Sequence, residues 1–329
     1  MAVEKSLNCY FFVPGLSERF RTGGLMVLRD VAGIFEKSLG FKTYFVATHE
    51  KHPDALTSDK TFETCAPPFT PHPSPLFIVS WGPLVSDHIK LIRKNIPDAK
   101  IIYYAQSFGW GIKIPPKIPI ACVSRFVMSQ WALYAPENFI TYIPPPLNPV
   151  FCLPAERHGL PDPQTGKRDI DILVHTRKQN DYCLKQLLPV LKKQNLKIEI
   201  IDEWIPQPEF AKLLQRSKIF LYITELHKAG FFRRLPGEGF GLPALEALAC
   251  GAVVGSNLLG GVTDFLTPGE NCIKLQNGDL NFDLAQIENA IKDFRVNEEK
   301  TKQIQTHYSS ASSLTRWVDL LETLGIITA

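Results

Sequence analysis

Short apolar runs alternate with stretches of helical periodicity along this chain. The series is broken once, by Ile143-Pro144-Pro145-Pro146-Leu147-Asn148-Pro149. Proline fixes φ and lacks the amide that a helix or central strand needs, so this run reads as an extended, semi-rigid linker. Before it, strands are predicted at Asn8–Val13, Lys42–Ala47, Leu76–Val79, Lys100–Tyr104 and Ile118–Val123. Helices are predicted at Leu25–Leu39, Val85–Lys94 and Phe126–Tyr134; in the first, Leu28, Val31, Phe35 and Leu39 share a face. After it, Ile170–Val174, Lys197–Ile201, Ile219–Ile223 and Ala252–Gly255 read as strands. Helices are predicted there at Cys183–Lys193, Pro208–Gln215, Pro243–Cys250, Val262–Leu266, Phe282–Phe294 and Leu314–Leu324. Alternation of this kind predicts parallel sheets covered by helices on both faces. The expected organisation is therefore α/β with two Rossmann-like domains. The first is 1–148 and the second 149–310, with the cleft between them holding the ligand.

Composition agrees with two domains and excludes several classes. The chain has 329 residues, and a domain takes about 150. Hydrophobic residues make up 45% and charged residues 21%, which argues against disorder and fibrous repeats. The net charge of +3 is too small to indicate nucleic acid as a partner. Residues 1–150 carry 15 Lys+Arg against 11 Asp+Glu, so the excess lies in the first half. With the basic helix Val85–Lys94, that excess suits an anionic membrane surface; a merely solvated face is the plain alternative. The seven cysteines are scattered and form no CxxC pair, as expected of buried free thiols in a reducing compartment. No apolar run approaches the roughly 20 residues of a membrane-spanning helix, and Leu7–Val13 reads as a first strand. A cytoplasmic location follows as the expectation, with peripheral contact on the inner face of a membrane as an addition to it.

The segment from Pro236 to Gly251 carries the chemistry. It reads PGEGFGLPALEALACG, a glycine-rich loop feeding a helix. Pro243 suits the first helical positions and Gly251 the stop. Free amides ahead of such a helix, with its dipole, favour a phosphate. Glu238 and Glu246 flank this anion site. Carboxylates placed there need donors, and vicinal sugar hydroxyls supply them. The alternative is that both glutamates are simply solvated.

This segment resembles, almost letter for letter, the Glu-x7-Glu motif of the retaining glycosyltransferases of family 4 (the group 1 type), which have the GT-B fold. Ala252-Val253-Val254-Gly255-Ser256, Leu259-Gly260-Gly261-Val262-Thr263-Asp264 and Pro268-Gly269-Glu270-Asn271-Cys272 resemble the family's following strand and turns. The likeness is strong over about residues 170–280 and weaker before. It implies that Glu246 binds the ribose of a nucleotide-sugar and that Glu238 faces the reacting carbon of the transferred sugar. It further implies that amides of Gly239, Phe240, Gly241 and Leu242 bind the sugar and diphosphate. Val174-His175-Thr176-Arg177-Lys178 follows a strand where the family has a Gly-Arg and then a Lys. Arg177 and Lys178 are accordingly the expected cations at the leaving group. The lysine is out of register, and Arg233 or Arg234, in the long basic insertion Thr224–Leu235, is the substitute.

Arg21-Thr22-Gly23-Gly24 resembles the family's N-terminal Gly-Gly loop, which places Gly23 and Gly24 near the donor phosphates and the acceptor. Gln106, in Tyr103-Tyr104-Ala105-Gln106-Ser107, stands where many relatives have a sugar-binding His. Trp204 and Ile205 fall in the loop that frames the base in the family, although Trp204 suits packing equally well. The resemblance also implies that the last helix, about 311–329, joins the first domain.

No Asp-x-Asp motif or histidine metal spacing is present, so neither a catalytic metal nor a cofactor is expected. The expected co-substrate is a UDP- or GDP-sugar, and the acceptor a hydroxyl of a glycan or lipid-linked molecule. Polysaccharide, lipopolysaccharide or other glycoconjugate synthesis is the expected setting. Competing readings are a GT-B nucleotide-sugar epimerase, for which no acid/base set is evident, and a non-catalytic nucleotide-sugar-binding partner. An NAD dehydrogenase is disfavoured because the loop reads Gly237-x-Gly239-x-Gly241 and not GxGxxG.

Overall fold

The computed structural model describes residues 7–65, 74–80, 82–109, 111–152, 168–229, 233–236 and 238–328. The chain divides into two compact units, Met1–Pro146 with Ser310–Ala329, and Leu147–Ser309.

The first unit is a six-stranded parallel sheet. Its strands are β1 (Asn8–Val13), β2 (Lys42–Ala47), β3 (Leu76–Val79), β4 (Lys100–Ala105), β5 (Ile120–Cys122) and β6 (Ile140–Tyr142), in the order β2-β1-β3-β4-β5-β6. All four residues of β3 are buried, as are five of six in β1, because helices cover both faces of a parallel sheet. Helix α1 (Gly23–Leu39) begins where the Thr22 hydroxyl accepts the Leu25 amide at 3.3 Å. It ends at Gly40, whose φ of +66° is a left-handed stop. Leu25, Leu28, Val31, Ala32 and Phe35 of α1 are buried. The remaining helices are α2 (Ser58–Cys65), α3 (Val85–Asn95) and α4 (Arg125–Tyr134). The last helix of the chain, α10 (Ser310–Thr323), packs into this unit through Trp317. That indole is fully buried, edge-on to Phe35 at 5.2 Å and to Tyr104 at 5.3 Å.

The second unit holds a five-stranded parallel sheet of β7 (Ile170–His175), β8 (Ile198–Ile201), β9 (Ser217–Tyr222), β12 (Val253–Ser256) and β13 (Cys272–Lys274), in the order β13-β12-β9-β7-β8. The basic insertion forms an antiparallel ribbon, β10 (Leu226–Ala229) with β11 (Arg233–Pro236). The helices are α5 (Leu188–Leu191), α6 (Gln207–Arg216), α7 (Leu242–Ala249), α8 (Leu280–Lys292) and α9 (Glu298–His307). The helix predicted over Cys183–Lys193 opens as a π turn, Cys183–Leu187. Pro189 lacks the amide that would bond the carbonyl of Lys185, and the turn before it widens. Arg168 donates to the carbonyls of Leu214 (3.1 Å), Ser217 and Cys250 (2.6 Å), a cation placed where α6 and α7 end. All seven cysteines are free thiols; six are buried and Cys152 is half-buried. Among the described residues no helix is long and apolar enough to cross a membrane.

Candidate active site

In the second sheet, β7 lies between β8 and β9. The connections that leave β7 and β9 therefore diverge, and a crevice opens at the carboxyl ends of these strands. The loop after β7 is the single 3-10 turn Thr176–Lys178. The Thr176 hydroxyl donates to the Ile201 carbonyl at 3.3 Å, and Gln179 crosses to the next strand. Its Nε2 donates to Leu221 O at 2.6 Å, and its Oε1 accepts the Ile223 amide at 3.0 Å. Asn257 holds the following residue, accepting from Thr224 N at 3.2 Å and donating to Thr224 O at 2.8 Å. Side-chain amides thus satisfy the backbone where the sheet ladder stops. The turn and the strand end below the crevice are tied to each other by these bonds.

The loop before α7 is shaped by glycines. Gly241 caps α7 at φ +97°, and a Cβ there would lie 2.4 Å from Val262 Cγ1. A side chain is therefore excluded by both conformation and space. The Gly260-Gly261 turn closes onto the same loop: Gly261 N donates to Glu238 O at 3.1 Å, and a Cβ on Gly261 would sit 2.1 Å from Gly239 O. The Phe240 ring turns inward against Phe265 (5.4 Å) and Tyr308 (5.7 Å). Phe240 is 5% exposed, so this stretch presents its backbone, not its side chains, to the crevice. Gly239 and Gly241 are buried too, and Leu242 is half-buried as the first residue of α7.

Glu238 meets two partners in this position. Tyr222, the last residue of β9, donates its hydroxyl to Glu238 Oε2, and Lys178 Nζ lies 3.8 Å from the same oxygen. Burial, then the Glu238 and Glu246 carboxylates, push the Tyr222 phenol far above its ordinary range, so it remains a donor. Glu246 lies in α7 and is 9% exposed. Arg177 and Lys178 are exposed on the turn after β7. Burial and these two cations lower the pKa of the neighbouring His175, which is neutral at pH 7. The arrangement is a hydrogen-bonded carboxylate with cations beside it and a helix start ahead of it. It can bind polyhydroxyl groups and stabilise a departing anion.

Tyr222 and Gln179 were not singled out by motif. Tyr222 lies one residue inside the end of the predicted strand Ile219–Ile223 and is the last residue of the observed β9, the edge a parallel sheet offers to a ligand. Ile205 is half-buried and lines an open groove of about 620 Å³ along β8 and α6, with Asp202, Glu203 and Lys212; Trp204 beside it is 45% exposed. The strand β11 contains Arg233 and Arg234, whose side chains lie outside the described residues, as does Gly237. In the first unit, Gly24 and Gln106 come together: Gln106 Nε2 donates to Gly24 O at 3.0 Å and to Ser80 Oγ at 3.0 Å. Gly23 is the first residue of α1. Among the described residues, no three His, Cys, Asp or Glu side chains converge as a cation cage.

A family described as Glycosyl transferase-like matches residues 186–317, a span that contains both glutamates and the glycine turns. No curated protein matches the sequence. Among solved structures, the sucrose-phosphate synthase of Thermosynechococcus elongatus is similar with a TM-score of 0.66 at 13% identity, over 98% of this chain and 100% of that one. Anabaena HepE in complex with UDP and glucose gives 0.67 at 10% identity, over 96% and 100%. The pneumococcal O-GlcNAc transferase GtfA, in complex with UDP and GlcNAc, gives 0.61 at 10% identity, over 97% and 99%. At these identities the likeness establishes the fold, which is GT-B. Together with the family match, it supports a glycosyltransferase.

Proposed function

We propose that this protein is a retaining glycosyltransferase of the family 4 (group 1) type. It would move a sugar from a nucleotide-sugar to the hydroxyl of a glycan or lipid-linked acceptor in polysaccharide, lipopolysaccharide or other glycoconjugate synthesis. The observation that carries the reading is the Tyr222–Glu238–Lys178 cluster at the switch point of the second sheet, directly before the Gly241-capped helix. Uridine diphosphate is favoured over guanosine diphosphate because two of the similar folds are in complex with UDP.

In this reading Glu246 holds the ribose, with Ile205 near the base, and the backbone of Gly239 to Leu242 holds the sugar and diphosphate. Glu238 faces the transferred sugar. Arg177 and Lys178 neutralise the leaving diphosphate without a metal, and Arg233 adds to them. Gly23 and Gly24 approach the phosphates, and Gln106, bonded to Gly24, acts through that loop. As the family resemblance implies, displacement in this reading proceeds on the front face. The bond from the anomeric carbon to the diphosphate oxygen breaks, the bond to the acceptor oxygen forms on the same side, and the acceptor proton passes to the departing diphosphate.

Removing a group that stabilises developing charge costs about 10²- to 10³-fold in kcat. Glu238→Gln is therefore expected to lose that much in UDP-glucose hydrolysis or transfer, with donor binding retained. Unchanged turnover would refute the catalytic role. Donor binding without turnover in the wild type would favour the non-catalytic partner instead, and inversion of the anomeric centre by NMR would overturn the retaining mechanism. A cytoplasmic location with peripheral contact on anionic lipid is part of the same proposal, supported by the exposed Lys90, Arg93 and Lys94 of α3. Co-sedimentation with phosphatidylglycerol vesicles should fall when all three become Glu.

A further inference from the structure

The first unit contains a cavity of about 170 Å³ at the carboxyl ends of β1, β3 and β4, beside the first turns of α1. Its walls are Phe12, Val13, Leu25, Leu28 and Pro83. Several of the polar atoms along it already have partners. Val13 O accepts from Thr48 N at 3.0 Å, and Pro14 O from His49 N at 2.8 Å. Gln106 Nε2 donates to both Gly24 O and Ser80 Oγ, and the Ser80 hydroxyl donates to Tyr104 O at 2.9 Å. Ser107 O accepts the Trp131 indole N–H at 3.0 Å, and Leu25 N donates to Thr22 Oγ1. Among the described residues that line the cavity there is no Lys, Arg or His.

We infer that this cavity takes an apolar group the size of an aromatic ring or one isoprenoid unit, carried by the acceptor. A diphosphate would find no cation there. A sugar would leave several hydroxyls unpaired, each costing about 1–3 kcal/mol. An apolar cavity of about 150 Å³ stays dry and binds benzene, so a space of this size and lining suits a ring or branched hydrocarbon. In this arrangement Gln106 is a positioning residue. Its amide bridges the end of β4 to Gly24 and Ser80 and closes the polar side of the wall. The assignment of the group to an acceptor rests on the glycosyltransferase reading; the binding of an apolar group by the cavity does not.

The test titrates the full chain, without nucleotide, with toluene, geraniol and glucose, and reads binding by calorimetry. Leu28→Trp fills the cavity from within, and Pro83→Trp covers it from its exposed rim, where folding is not at risk. Toluene or geraniol should saturate the wild type, and binding should weaken by about tenfold or more in Pro83→Trp and in any Leu28→Trp that folds. The preferred probe distinguishes an aromatic aglycone from a prenyl anchor. Absence of binding by both apolar probes, equal binding by wild type and Pro83→Trp, or displacement by glucose would overturn the inference. UDP-glucose hydrolysis by the same variants is expected to stay within about twofold of wild type, because neither Leu28 nor Pro83 is among the residues assigned to the donor. A protein that binds the apolar probe yet never turns over UDP-glucose keeps the cavity and loses the acceptor assignment.

Discussion

The two units share a topology and differ in what they place at its functional end. Both sheets put their second strand outside the first and the third on the first strand's other side: β2-β1-β3 in one unit, β8-β7-β9 in the other. Each therefore opens a crevice at the carboxyl ends of its first and third strands. In the first unit that end is walled by hydrocarbon, and its amides and hydroxyls are bonded to one another. In the second unit it carries Arg177, Lys178, Tyr222 and Glu238 on turns held by Gln179 and Asn257. The backbone path decides where a ligand can lie, and the few residues after each strand decide what kind of ligand it is.

The contrast can be broken at several points. The largest effect is expected at the seam that completes the first unit from the far end of the chain. Trp317→Ala empties a fully buried site between Phe35 and Tyr104 and should cost about 3–5 kcal/mol, read as a drop in Tm. Trp317→Phe should cost far less, because the indole N–H has no hydrogen-bond partner. Equal losses would mean that the ring's shape, not its burial, anchors α10.

The next effect concerns His88, which packs against Phe12 at 5.2 Å with Nδ1 unpartnered. Burial pulls its pKa down to about 4. The unfolded chain therefore binds the extra proton first, and stability is lost as pH falls from about 6.5 towards 4, by about 3 kcal/mol at most. Asp30 works the other way. Burial raises its pKa to about 6, so its contribution weakens the fold as pH rises from about 4 to 6. The difference between wild type and His88→Leu in acid-dependent Tm isolates the histidine. An unchanged slope would remove His88 as the cause.

On the second unit, Gly241→Ala forces a Cβ onto a residue at φ +97° and 2.4 Å from Val262 Cγ1. About 2 kcal/mol of stability should go with it, together with donor affinity measured by titration. Wild-type donor affinity in this variant would show that the loop's conformation is not what binds the phosphates. The smallest effect is expected for Tyr222→Phe. Loss of one hydrogen bond to Glu238 should lower kcat by roughly fivefold, near 1 kcal/mol, with KM nearly unchanged. A change confined to KM would make Tyr222 a binding residue only.

Apolar runs mark strands in the sequence itself. Asn8–Val13, Lys42–Ala47 and Leu76–Val79 are strands with those same bounds; β1 and β3 are almost wholly buried, while the edge strand β2 is buried only at Val46 and Ala47. β6 and β13, with three residues each, show no period, and their place was missed. Helices α2 and α9 carry too few apolar residues to stand out, and the ribbon β10–β11 sits in a stretch read only as a basic insertion. The Glu238 loop is legible in the sequence as a glycine-rich stretch feeding a helix. Val262 leaves no room for a side chain at Gly241, and the Gly239 carbonyl leaves none at Gly261, so the loop and a turn about 20 positions away constrain one another.

Local pattern alone therefore determined the α/β alternation, the break at the proline run and the glycine loop that feeds α7. Hydrophobic period, turn chemistry and helix caps act over a few residues and leave their mark in the sequence. Tertiary structure alone decided that Tyr222 would reach Glu238, that Gln179 would tie β7 to β9, and that Gln106 would close an apolar cavity over Gly24. Those contacts join residues 16, 42 and 82 positions apart, and which pairs meet is set by strand order and packing, not by spacing along the chain.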